Sequence, residues 1–231
     1  MITVPVRQIT RATPRIWILN LDFRALEFAF TAGQAVMLGL SGSPLRKPYS
    51  IASAPWEVAK SGIMQVLVQV EDSGGLDPHL ELASPGTQLD LEGPFGSFAL
   101  PLTADRPLLF VAGGTGIAPL RSMLFEYLAR PMPEPPALIY SARSVDEFAF
   151  RTELAAMEAA GRLTTYFTVT RDEQSEWPGR RGRISEALLA DALPSPSAVC
   201  LVCGPPQLVS DASALLMKLG VGAERILTEK Y

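Results

Sequence analysis

The chain has 231 residues, which is room for two domains of about 100 to 130 residues each. Its 48% hydrophobic and 19% charged residues are globular values, and no apolar run reaches the roughly 18 residues of a membrane-spanning helix. A net charge of −4 with scattered Lys and Arg argues against nucleic acid, a single histidine excludes histidine triads and multi-histidine metal sites, and two cysteines are too few for a four-thiolate cluster.

The opening segment MITVPVRQIT alternates apolar and polar residues and lacks the apolar core of a secretory signal, so it reads as a first strand of a chain that stays in the cytoplasm. Short β-branched segments follow at 15–22, 34–40, 49–53, 63–70 and 88–92, separated by Gly, Pro and Ser, with one helical stretch at 78–83. That spacing predicts an antiparallel β-barrel or sandwich. After PLTADRP (101–107) the texture changes to continuous apolar runs at 108–113, 137–142, 163–170, 198–204 and 225–231. Helix candidates lie between them at 118–130, 146–160, 184–192 and 207–219, which predicts a Rossmann-like parallel α/β domain. The boundary falls near residue 103, giving domains 1–103 and 104–231.

LLFVAGGTGIAPL is a buried strand, a glycine turn and a helix start. Gly113, Gly114, Thr115 and Gly116 bring backbone N–H groups close to an anion, and Pro119 sits in the first helical turn, where its missing N–H costs nothing. Such a turn is also an ordinary strand-to-helix connection, and Pro119 occupies the third glycine position of the dinucleotide fingerprint. In the first half, RKPYSIAS (46–53) supplies positive charge, an aromatic ring and a hydroxyl on one short strand, with Lys47, Tyr49 and Ile51 on one face. GPFGSF (93–98) closes that half, and Cys203, Gly204 and Pro205 end a buried parallel strand, the edge where α/β sheets bind ligands. Cys200 and Cys203 stand three apart on a strand, on opposite faces, which disfavours a redox disulfide.

In this order the motifs resemble the ferredoxin–NADP reductase superfamily over nearly the whole chain. The resemblance implies an FAD-binding barrel followed by an NAD(P)-binding domain. It places the flavin ring on Tyr49, with Arg46, Lys47, Pro48, Ser50 and Ile51 around it and Ser50 near flavin N5. The flavin phosphates fall near Gly74, Gly75 and Leu76, and the nicotinamide beside Cys203, Gly204 and Pro205. The terminal Glu229, Lys230, Tyr231 match the Glu-x-Tyr of plant-type members, so that Tyr231 covers the flavin and moves aside for nicotinamide, with Glu229 near the reacting centre. Ser50, Cys203, Glu229 and Tyr231 are thus the implied catalytic set.

Two positions depart from the pattern. The family arginine position holds Lys47, with Arg46 one place earlier, and Asp77 stands where a phosphate-binding hydroxyl is expected, where it also makes a good helix cap. At the adenosine end, Thr170 and Arg171 followed by GRRGR with Arg180 favour NADP over NAD. The implied activity is hydride transfer from NAD(P)H to FAD and electron delivery to a separate ferredoxin, flavodoxin or oxygenase component. The alternatives are a reductase of free flavin and a non-catalytic electron-transfer subunit.

Overall fold

The structure is a computed structural model that describes residues 1–70, 80, 83–101, 106–131, 134–172 and 176–231. By its internal contacts the chain forms two units, Met1–Leu100 with Arg121–Arg130, and Pro101–Leu120 with Pro131–Tyr231.

The first unit contains β1 (Ile2–Thr13), β2 (Ile16–Asp22), β3 (Ala35–Leu40), β4 (Lys47–Ser50), α1 (Pro55–Ser61), β5 (Ile63–Gln69) and β6 (Gln88–Phe95). The strands pair antiparallel in the order β4-β3-β6-β1-β2-β5, and a bridge from Ile51 to Val66 joins the two outer strands, closing the barrel. Alternation drives this arrangement. Val4 and Val6 of β1, Leu19 and Leu21 of β2, Val36 and Leu38 of β3, and Met64, Val66 and Val68 of β5 all point into one core.

Helix α1 is not among the elements expected from the sequence. Its signals are local: Pro55 opens the helix, the Glu57 carboxylate reaches back to the Ala54 N–H at 2.7 Å, and Gly62 closes it in the left-handed conformation at φ 67°. The expected helix at 78–83 falls mainly outside the described residues; of its length, Leu80 is buried in the barrel core and Ala83 N–H donates to the Leu80 carbonyl at 2.8 Å.

The second unit follows the α/β alternation: β7 (Leu108–Gly113), α2 (Ile117–Leu128), β8 (Ala137–Ala142), α3 (Arg151–Ala159), β9 (Thr164–Val169), β10 (Arg180–Arg181), α4 (Glu186–Ala192), β11 (Val199–Gly204), α5 (Pro206–Lys218) and β12 (Ile226–Lys230). Its strands are parallel in the order β10-β9-β8-β7-β11-β12. β7, β8 and β11 are buried along their whole length, as strands covered on both faces must be. From Arg121 onward α2 belongs by its contacts to the barrel unit.

The helix expected over 146–160 is broken. A 3₁₀ turn at Val145–Glu147 precedes Phe148 and Ala149, both buried, and Phe150 adopts φ 59° before α3 begins. The left-handed backbone at Phe150 is what interrupts the α-helical run, so α3 starts only at Arg151. The two-residue β10 inside GRRGR was also missed, because exposed arginines carry no strand pattern.

Candidate functional site

In the parallel sheet the chain order reverses at β7, whose neighbours are β8 and β11. Gly113 at the end of β7 and Gly204 at the end of β11 lie side by side: a Cβ built on Gly204 would stand 3.2 Å from Gly113 Cα. Ligands of open α/β sheets bind in the crevice at such a reversal, outside the carboxyl ends of the strands.

Glycine is required here by contact. A Cβ on Gly116 would meet the Cys203 carbonyl oxygen at 2.3 Å and its carbon at 2.6 Å, and Gly114 has φ +52°. The chain passes through a 3₁₀ turn at Gly114–Gly116 into α2, with Pro119 in the first turn of the helix.

This turn already holds an oxygen atom. Tyr231 Oη donates to the Gly113 carbonyl at 2.8 Å, while the Thr115 hydroxyl and the backbone of Thr115 and Gly116 pull its pKa down. Burial of the hydroxyl outweighs them, so the phenol lies above its usual range although its ring is half exposed. The hydroxyl thus lies against the Gly113 carbonyl and beside Thr115 and Gly116, whose backbone N–H groups a phosphate oxygen would need.

Beside the turn, Cys203 Sγ donates to Glu229 Oε2 at 3.8 Å, a pairing set by the β11–β12 register that places Cys203 opposite Glu229. Burial pushes the Cys203 thiol well above its ordinary value, and the Glu229 carboxylate adds to the effect. Cys203 therefore stays a neutral thiol and a hydrogen-bond donor at neutral pH. Cys200 and Cys203 are both buried and form no disulfide with each other. Pro205 caps α5, which starts directly after β11.

At the carboxyl ends of β8 and β9 two arginines lie side by side: Arg171 is exposed and its backbone N–H donates to the Arg143 carbonyl at 2.8 Å. Arg143 was missed in the sequence, since a lone arginine after a strand carries no signal. Thr170 Oγ1 donates to the Ala142 carbonyl at 3.2 Å. Arg180 is engaged elsewhere: Nη2 bonds Asp191 Oδ2 at 2.9 Å and the guanidinium lies over the Tyr166 ring.

In the barrel unit, Lys47, Tyr49 and Ser50 lie on β4 and are half-buried, while Pro48 is exposed. Tyr49 also packs against the barrel core. Ile51 is fully buried in the barrel core, which leaves its backbone as the part that could face a cofactor. Arg46 is held by two carboxylates of β6, with Nη2 3.5 Å from Asp90 Oδ2 and Nη1 3.5 Å from Glu92 Oε1. Its Nε is buried without a partner among the described residues. An aromatic ring, a hydroxyl and a lysine on one short strand suit a flavin ring and its phosphate tail. Gly74, Gly75, Leu76 and Asp77 lie outside the described residues.

The segment after Ser50 is fixed by α2. Arg121, 3% exposed, donates to the Ala52 carbonyl at 2.8 Å and grips Glu57 with two bonds of 2.9 and 3.0 Å. Ser122 Oγ donates to the Ser53 carbonyl at 2.7 Å. Neither residue was singled out in the sequence, where both read as ordinary members of a helix.

Residues 3–100 match the family described as oxidoreductase FAD-binding domain, and residues 110–214 match the oxidoreductase NAD-binding domain. The chain is 33% identical over 214 residues to ferredoxin–NADP reductase B of Sorangium cellulosum, covering 88% of this chain and 86% of that one. It is 29% identical to the toluate 1,2-dioxygenase electron transfer component of Pseudomonas putida, spanning 98% of this chain and 65% of that protein. Among solved structures, a ferredoxin NADP+ reductase from Neisseria gonorrhoeae superimposes with a TM-score of 0.81 at 22% identity, covering 99% and 98% of the two chains. An Amycolatopsis cytochrome P450 reductase gives 0.85 at 24% identity, covering 99% of this chain and 68% of that one, and both likenesses concern the fold. Two matched domains in succession, on an antiparallel barrel and a parallel sheet, establish that the chain belongs to the ferredoxin–NADP reductase-like superfamily and is an NAD(P)H-dependent flavoprotein reductase.

Proposed function

We propose that this chain takes hydride from NADPH onto FAD and passes electrons singly to a separate protein acceptor, a ferredoxin, a flavodoxin or an oxygenase component. The observation that carries the nucleotide half is the glycine turn at the point where the parallel sheet reverses, with Gly116 packed so closely on Cys203 that no side chain fits. FAD supplies the conversion between a hydride and single electrons. The chain's own residues bind and orient. Tyr49 offers its ring to the isoalloxazine, Ser50 stands toward N5, and Lys47, at the family's arginine position, carries the phosphate charge.

On the nucleotide side, the pyrophosphate takes the place of the Tyr231 hydroxyl at Gly113–Gly116. Cys203 and Glu229 border the nicotinamide, the thiol remaining protonated. Arg171 together with Arg143 receives the 2′-phosphate; both lack side-chain partners among the described residues, whereas Arg180 is paired. That pair is the reason for preferring NADPH.

The family relatives support a protein acceptor: the Sorangium relative is named a ferredoxin–NADP reductase and the Pseudomonas one an electron transfer component. Purified chain that keeps FAD through gel filtration and reduces an added ferredoxin with NADPH supports this reading. Colourless chain that reduces added riboflavin instead makes it a reductase of free flavin. Chain that oxidises neither nucleotide alone, and is recovered with a larger enzyme, makes it an electron-transfer subunit.

A further inference from the structure

The Gly114 carbonyl accepts a hydrogen bond from Tyr140 Oη at 3.1 Å, and the same hydroxyl oxygen accepts the Ala149 N–H at 3.2 Å. Tyr140 sits on β8 with no exposed surface, its ring held edge-on against Phe148 with centroids 5.1 Å apart. Burial raises its pKa far above the usual tyrosine value, so the hydroxyl keeps its proton. No step of the proposed reaction uses this group.

Its consequence follows from peptide geometry. The Gly114–Thr115 peptide is planar and trans, so its C=O and N–H point in opposite directions. Gly114, at φ +52° and without a Cβ, puts little steric restraint on the ψ rotation that turns that plane. One lone pair of the Gly114 carbonyl takes the Ile117 N–H of the 3₁₀ turn, which tolerates some rotation; the Tyr140 hydroxyl takes the other and fixes the plane. The Thr115 N–H is thereby aimed away from β8, toward the place now held by the Tyr231 hydroxyl.

We propose that Tyr140 is a positioning residue of the nucleotide site, whose hydroxyl locks the Gly114–Thr115 peptide so that the Thr115 N–H meets a pyrophosphate oxygen. Through Ala149 the same hydroxyl ties the turn to the loop after β8. This rests on the reading of Gly113–Gly116 as the pyrophosphate site.

The test is Tyr140→Phe in the full chain, which keeps the ring and removes the hydroxyl. Calorimetric titration with NADP+ should show binding weakened about three- to tenfold, the loss of one hydrogen bond. Binding of 2′-AMP, which lacks the pyrophosphate, should stay within about twofold, as should FAD content. Equal weakening of both nucleotides, or of neither, overturns the proposal in favour of a merely structural tyrosine. If unmodified chain binds NAD+ and not NADP+, the pair of probes becomes NAD+ and adenosine. Unmodified chain that binds no pyridine nucleotide removes the site reading itself, and the inference with it. Should the variant fail to fold, hydrogen exchange on unmodified chain decides: NADP+ should slow the Thr115 and Ala149 amides together, and protection of Thr115 without Ala149 contradicts the link.

Discussion

Tyr231 Oη sits on the Gly113 carbonyl at 2.8 Å, occupying with a neutral hydroxyl the turn that an anionic pyrophosphate would fill. Nucleotide must displace it. Tyr231→Phe keeps the ring and removes the competing hydroxyl, so NADP+ affinity should rise about two- to tenfold, the worth of one net hydrogen bond. Unchanged or weaker binding in a fluorescence titration would show that the hydroxyl does not compete.

Arg46 and Lys47 present a second contrast. Arg46 bridges Asp90 and Glu92 of β6, while Lys47 stands at the family's arginine position on β4 with Tyr49 on its own face. Lys47→Met should therefore weaken FAD retention more than Arg46→Met, whereas Arg46→Met should lower the melting temperature more. Flavin release on dialysis, read beside thermal melts, checks both; the reverse ranking would assign the phosphate to Arg46.

The Arg121–Glu57 pair is two-pronged and largely buried, with side chains 4% and 20% exposed. Removing one partner leaves a buried charge, so Arg121→Met should destabilise by about 3–5 kcal/mol, and Glu57→Gln, which leaves the guanidinium unpaired and turns an amide NH2 toward it, by a comparable amount. The double replacement with Met at both positions should recover much of the loss. Urea denaturation of the three variants tests this, and additive losses would mean that the two residues act independently.

Burial pushes the Cys200 thiol up to about 12 from an ordinary 9.0. The unfolded chain therefore loses this proton first as pH rises, and the stabilising contribution, complete below pH 9, disappears progressively between pH 9 and 12. Cys200→Ala should flatten the alkaline decline of stability in that window and leave the neutral-pH slope unchanged. An identical alkaline decline would show that other groups, Cys203 and Tyr140 among them, carry it.

Much of the architecture was legible because its signals are periodic: buried runs such as LLFVAG and AVCLVCG separated by amphipathic helices leave little choice but a parallel sheet. The glycine turn and the CGP segment were legible through residue type, and the structure brings them into contact through Gly116 and Cys203. What escaped were residues whose role depends on partners far along the chain. Tyr140 reads as one more apolar residue in ALIYSA, Arg121 as one helix residue, and Arg143 as a stray charge. Helix α1 was missed although Pro55, Glu57 and Gly62 announce it, because the strand pattern on either side took precedence. The burial of Ile51 was not legible either, because it comes from the barrel closing on it at Val66.

The most direct test is the visible spectrum of the purified chain, titrated without oxygen with NADPH and then, in a fresh sample, with NADH. The protein should be yellow with one FAD per chain, and one equivalent of NADPH should bleach the flavin band, more readily than NADH does. A chain that holds no flavin under any condition, or whose flavin neither nucleotide bleaches, would contradict the account.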